Sequence, residues 1–259
     1  MKKSAGNKRR PCTIYGARPR LPFVFCFVVT ALVTAALPLR AQYIGSASRV
    51  GVARFHMRDG ATFCSGRAFA IQWFKGRKLL LMPLHLLGPE GGYATYVEPQ
   101  NVNKEVTSLE VMDLTLQSPV TTASNSLLKT GVPVEKARGD LSGDLMAFEL
   151  PHHTNLPLLA LCPTLVPVGT KVWVLSKENP AANREVDRYP GTVVKAYPSG
   201  VTIQMDSTLK ALASSGAPVV NAKNEVVCMM VGKQDQGRTV VMGIPSTSIY
   251  ARLYREIGQ

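Results

Sequence analysis

From about residue 49 to residue 245 the chain is broken into short runs of β-forming residues by clusters of turn residues. SRVGVARFHM, ATFCSGRAFAIQWF, RKLLLMPL, LEVMDLTL, LMAFEL, TKVWVLS, GTVVKAY, GVTIQM, APVV, EVVCMMVG and RTVVMGI are separated by RDG, GPEGG, PSG and NAKN. Gly, Pro, Asn and Asp supply the backbone angles that tight turns require and interrupt any extended helix. Many short strands at even spacing predict an all-β sandwich or barrel rather than βαβ units. No repeat of fixed period is present. The spacing predicts a terminal helix over residues 246–257, with Ser246 or Ser248 as its cap and Ile249, Leu253 and Ile257 on one face. A second helix is expected over SNSLLKTG, residues 124–131. Pro151 to Pro157 reads as a linker that divides the strands into two halves.

Three stretches carry the chemistry. In RKLLLMPLHLLGPEGG, His85 ends an apolar strand ahead of a loop, where a histidine can serve as general base. In GDLSGDLMAFEL, Asp144 opens an apolar strand and Asp140 lies four residues earlier. Either carboxylate could orient a histidine through Nδ1, and Asp144 is the better placed. In ASSGAPVVNAKNEVV, Ser215 stands on a tight turn before a strand. Acyl transfer needs such a hydroxyl together with N–H donors for the developing oxyanion, here the amides of Ala213 and Ser215. The chain order is His, Asp, Ser, which is the chymotrypsin order and not that of lipase-like or subtilisin-like hydrolases.

With these stretches in view, the chain resembles the trypsin-like, chymotrypsin-fold serine proteases, in particular compact bacterial secreted ones. The resemblance covers about residues 48–257. It rests on Met82-Pro83-Leu84-His85, Asp144-Leu145-Met146-Ala147-Phe148, Ala213-Ser214-Ser215-Gly216-Ala217-Pro218, the strand Asn224 to Met229 and the terminal GIPSTSIYARL. It implies two packed six-stranded antiparallel β-barrels, the first over about 46–150 and the second over about 158–245, followed by the helix at 246–257. It also implies an endopeptidase with the triad His85, Asp144 and Ser215 and an acyl-enzyme intermediate, acting on polypeptides without a cofactor. A catalytically weak module of the same fold, binding extended peptides or a protein partner, is the alternative.

The departures from the family pattern carry expectations of their own. Ala213 and Cys228 stand where the family has glycine, and Met82 stands where it has threonine. An alanine in the oxyanion loop implies a slow enzyme. The resemblance implies that Leu209, six residues before Ser215, stands at the base of the primary specificity pocket, so cleavage after Lys or Arg is not expected. By the same resemblance, Val231-Gly232-Lys233 would form the substrate-binding edge. There Lys233 either favours acidic groups, crowds the pocket mouth or is a solvated loop residue.

Other functions fit the sequence poorly. The net charge is +13, but eight of the 30 basic side chains fall in residues 1–41, which hold no acidic one. From residue 42 onward 22 basic residues face 17 acidic ones, too little excess for a nucleic-acid surface. His152-His153 is not a metal pair, because adjacent strand residues point apart. Cys64, Cys162 and Cys228 have neither disulfide-framework nor zinc spacing. No Walker, Rossmann or EF-hand pattern occurs.

The basic residues 1–20 and the uncharged run 21–37, LPFVFCFVVTALVTAAL, have the layout of a signal peptide ending near Ala41, with Ala36 as the second cleavage point. The same run is at the lower length limit for a membrane anchor with the domain outside. Arg9-Arg10 is followed by PCTI, which fits a twin-arginine signal poorly. N-terminal sequencing of exported protein is expected to begin at Gln42. Recovery of intact Met1 in the membrane fraction would favour the anchor.

Overall fold

The computed structural model describes residues 49–177, 187–207, 209, 214–235 and 238–258. The expected export segment and Ala213 lie outside the described residues. Strands β1 (Gly51–Met57), β2 (Thr62–Gln72), β3 (Lys78–Met82), β4 (Val106–Met112), β5 (Pro119–Ala123), β6 (Met146–Leu150) and β7 (Leu158–Leu159) form one sheet, with the short helix α1 (Val102–Glu105) leading into β4. Its order is β5-β4-β1-β2-β3-β6, and β7 pairs with β2 in parallel. β7 falls where the second barrel was expected to begin, yet it belongs to the first sheet. Strands β8 (Lys171–Ser176), β9 (Asp187–Tyr197), β10 (Gly200–Met205), β11 (Pro218–Val220), β12 (Val226–Asp235) and β13 (Thr239–Pro245) form a closed barrel in the order β10-β13-β12-β11-β8-β9. The terminal helix α2 spans Ser246–Ile257.

The unbroken apolar runs of the sequence follow from this arrangement. Side chains alternate across a strand, so a strand that is buried on both faces is apolar at every position. On β3, Leu80 and Met82 fill the first sheet, while Leu79 and Leu81 enter a second cluster that joins residues of both sheets. On β6, Met146 and Phe148 face inward and Ala147 joins the shared layer. In the second barrel, Cys228 and Met230 of β12 face the interior, and Met229 and Val231 face the shared layer. Ile249 and Leu253 of α2 complete that layer, and Ile257 packs at its edge.

The helix expected over 124–131 does not form. Ser126 instead bridges Phe148 in antiparallel fashion. Ser124 N donates to Glu149 O at 3.0 Å and Leu127 N to Ala147 O at 2.8 Å. The edge of β6 needs partners for its backbone groups, and this tertiary demand overrides local helix propensity. The expected serine caps of α2 are also corrected. Pro245 is its N-cap residue, and the Ser246 and Ser248 hydroxyls donate to the carbonyls of Cys162 and Pro198.

Leu81 is fully buried in the shared layer. Leu81→Ala is expected to cost about 2–5 kcal/mol of stability, as large-to-small core changes do. Urea unfolding of the variant against wild type measures it.

Candidate functional site

β3 stops at Pro83, which has no amide to donate, and the chain turns into a short 3-10 segment, Leu84–Leu87. Leu84, Leu86 and Leu87 are buried and anchor this segment, and His85 within it is 3% exposed. Asp144 follows another 3-10 turn, Leu141–Gly143. Asp140 caps that turn by accepting from Ser142 N at 3.0 Å and is exposed. Asp144 is fully buried. Of the two carboxylates, the one the sequence favoured is the one that is buried against His85.

Both oxygens of Asp144 engage His85. Oδ1 accepts from the His85 backbone N at 2.8 Å, and Oδ2 lies 2.6 Å from Nδ1. A carboxylate only accepts, so Nδ1 carries the proton, and in the neutral ring Nε2 is left with a lone pair. Burial disfavours the imidazolium, but the hydrogen bond and charge of Asp144 outweigh it, with further help from Glu135 and Glu90. The His85 pKa is raised as a result.

Ser215 lies on the turn closed by Ala217 N donating to Ser214 O at 2.9 Å. Gly216 N donates to Met230 O at 2.7 Å, and Met230 N to Ala217 O at 2.9 Å, which fixes the turn on β12. Gly216 has φ +91°, and a Cβ there would overlap the Arg67 carbonyl oxygen. Glycine is required on both counts. Beneath the turn, Ser214 Oγ and Ser176 Oγ lie 3.0 Å apart in a buried pair. The Ser215 carbonyl accepts from Arg67 N at 2.7 Å. Ser215 Oγ donates to Val231 O at 3.5 Å, a long bond.

The serine turn and the histidine turn meet at Gly66 and Gly216. A Cβ at Gly66 would lie 2.6 Å from the Leu86 side chain and 2.7 Å from Ser215 O. At Gly216 the nearest atoms include Pro83 Cδ, at 2.9 Å. Sequence reasoning missed Gly66, although a glycine inside a strand run signals a bulge or a close backbone approach.

The expected binding edge has mixed placement. The β12–β13 register shifts between Met230 and Gly232, so Val231 sits at a bulge. Its side chain is buried in the shared layer and its carbonyl faces Ser215. Gly232 and Lys233 are half-buried. Lys233 is no loop residue: it lies within β12, and its Nζ donates to Leu209 O at 3.0 Å. The Leu209 side chain is fully buried. Cys228 does not line a cleft. It points into the barrel core, where burial raises its thiol pKa, and it packs beside Gly243. Met82 is likewise a core residue of the first sheet.

No family profile matches the sequence, and no curated protein is detectably similar to it. Solved structures are similar in fold. The Rv3671c protease of M. tuberculosis in its active form superposes with a TM-score of 0.54 at 15% identity, covering 92% of this chain and 96% of that one. Its inactive form gives 0.53 at 15% identity, with 83% and 92% coverage. A serine-to-alanine mutant in the inactive form gives 0.52 at 13% identity, with 88% and 97% coverage. The fold is thus the chymotrypsin-like double barrel that the sequence resemblance implied, with the terminal helix in place.

The raised His85 pKa sets a pH dependence. Its contribution to stability is complete below the ordinary histidine value of about 6.5 and is lost as pH rises through the higher folded value. NMR titration of the His85 ring is expected to give a midpoint above the ordinary value. Asp144→Asn is expected to bring the midpoint down.

Proposed function

We propose that this protein is an exported serine endopeptidase that hydrolyses peptide bonds through His85, Asp144 and Ser215. The observation that carries the reading is the buried two-point pair between His85 and Asp144, set against the Ser215–Gly216 turn. Asp144 holds the imidazole with Nδ1–H toward itself, which presents Nε2 as the base. Ser215 Oγ leaves the Val231 carbonyl by rotation about χ1 and gives its proton to Nε2 as it attacks the scissile carbonyl. The tetrahedral oxyanion is received by the amides of Ser215 and Ala213. As the intermediate collapses, Nε2 returns the proton to the leaving amine. Water, activated by the same nitrogen, then hydrolyses the acyl-enzyme and releases Ser215.

Three features refine the reading. Leu209 gives the primary pocket no carboxylate, so Lys and Arg are not preferred before the scissile bond. Ala213 in place of glycine slows turnover, since a peptide plane that carries a Cβ orients its N–H into the oxyanion site at greater cost. The basic and apolar N-terminal segment directs the domain across a membrane, and the partner is a polypeptide substrate.

A fluorophosphonate probe with mass-spectrometric mapping is expected to label Ser215. On a peptide library, Ser215→Ala is expected to abolish hydrolysis and Ala213→Gly to raise it. The upper bound on the gain is the roughly 100–1,000-fold that one oxyanion donor contributes. Equal residual activity in wild type and both variants would sink the peptidase reading and favour a peptide-binding module.

A further inference from the structure

Arg252 lies on α2, far along the chain from the site residues, and is 5% exposed. Its Nη1 donates to the carbonyl oxygens of Ser142 at 3.0 Å and Gly143 at 2.7 Å, the two residues that precede Asp144. Its Nη2 donates to the Thr130 carbonyl, and its Nε to Glu256 Oε1 at 3.0 Å. Glu256 in turn accepts from Lys129 N at 3.0 Å, Thr130 N at 3.3 Å and Thr130 Oγ1 at 2.5 Å. One buried guanidinium therefore ties residues 129–130 and 142–143 to the terminal helix. A buried cation is costly unless its donors are used, and every donating nitrogen of Arg252 is engaged.

The Gly143 carbonyl and the Asp144 amide belong to one rigid peptide plane. Its oxygen is held by Arg252 and by Val132 N at 3.0 Å, and its N–H donates to Leu141 O at 3.0 Å. With the plane held at both ends, the Asp144 N and Cα are held as well, which sets the point from which its side chain reaches His85. We propose that Arg252 is a positioning residue for the His85–Asp144 pair, pinning the Gly143–Asp144 peptide so that both carboxylate oxygens reach His85. The consequence for turnover rests on the peptidase reading; the effect on the pair itself does not. The charged groups around these residues are Asp144, Glu135 and Glu90 toward His85, and Glu256, Arg255 and Asp144 toward Arg252, with Asp140 exposed on the same turn.

The test compares full-length wild type with Arg252→Lys, Arg252→Met and Glu256→Gln. In both Arg252 variants the downfield Nδ1 proton resonance of His85 is expected to weaken, and the ring midpoint to fall toward the ordinary value. Turnover of peptide substrates is expected to drop roughly 10- to 100-fold, as small misplacements of a catalytic group do. KM should stay within about twofold, the mark of an interaction used only in the transition state. Glu256→Gln leaves the carbonyl grip in place and is expected to produce a smaller change in the same direction. An unaltered resonance and midpoint with only a lower Tm would overturn the proposal. So would a midpoint that rises in Arg252→Met and stays put in Arg252→Lys, since charge rather than position would then be acting. If both Arg252 variants fail to fold, an unaltered resonance in Glu256→Gln overturns it too. A wild type without hydrolysis whose His85 resonance still responds as expected would defeat the peptidase reading and leave the positioning role standing.

Discussion

The apolar layer shared by the two sheets governs where everything else can lie. Leu79, Leu81 and Ala147 enter it from the first sheet, Val220, Met229, Val231 and Ile244 from the second, and Ile249 and Leu253 from the terminal helix. Each Val, Leu, Ile or Met side chain among them contributes about 1.5–3 kcal/mol when it leaves water, so the layer cannot be opened cheaply. The strands that feed it are buried on both faces and have no freedom of register, because a one-residue slip would exchange the two sets of side chains. His85 follows β3, Asp144 precedes β6, and Ser215 precedes β11 and is tied to β12. The candidate site is therefore assembled from the ends of strands whose positions the layer has already fixed.

Against that rigid frame, the Asp144 carboxylate is the most demanding group. A buried anion without partners would be strongly destabilising, and the protein meets this with two donors from one residue, the amide and the ring of His85. The same solution defines the tautomer and raises the His85 pKa. Electrostatic necessity and chemical capability thus arise from one arrangement. The guanidinium of Arg252, satisfied by the carbonyls that lead into Asp144, extends this polar network to the last helix.

The serine turn depends on sterics instead. Gly216 adopts a left-handed conformation against the Arg67 backbone, and Gly66 lets the Leu86 side chain and the Ser215 carbonyl come together. A side chain at either position would push the histidine and serine turns apart. Cys228 affects neither, because the strand alternation sends it into the barrel core.

The sequence by itself determined the strand-and-turn pattern, the all-β class, the terminal helix with its Ile249–Leu253 face, and the residue types and chain order of His85, Asp144 and Ser215. These are properties of period, turn chemistry and local motif, and each is written in a short window. Tertiary structure supplied the environments that separate Asp144 from its rival Asp140, burying the first against His85 and leaving the second exposed on its turn. It also made residues 124–127 an edge partner of β6 rather than a helix, since the sheet's unpaired backbone groups outweigh local propensity. Cys228 went to the core and Lys233 to the Leu209 carbonyl by strand register, which a single run of residues does not encode. Arg252 reaches the Asp144 turn for the same reason. Contacts between residues distant in sequence depend on how the barrels and helix pack, and nothing in the local sequence around Arg252 carries that information.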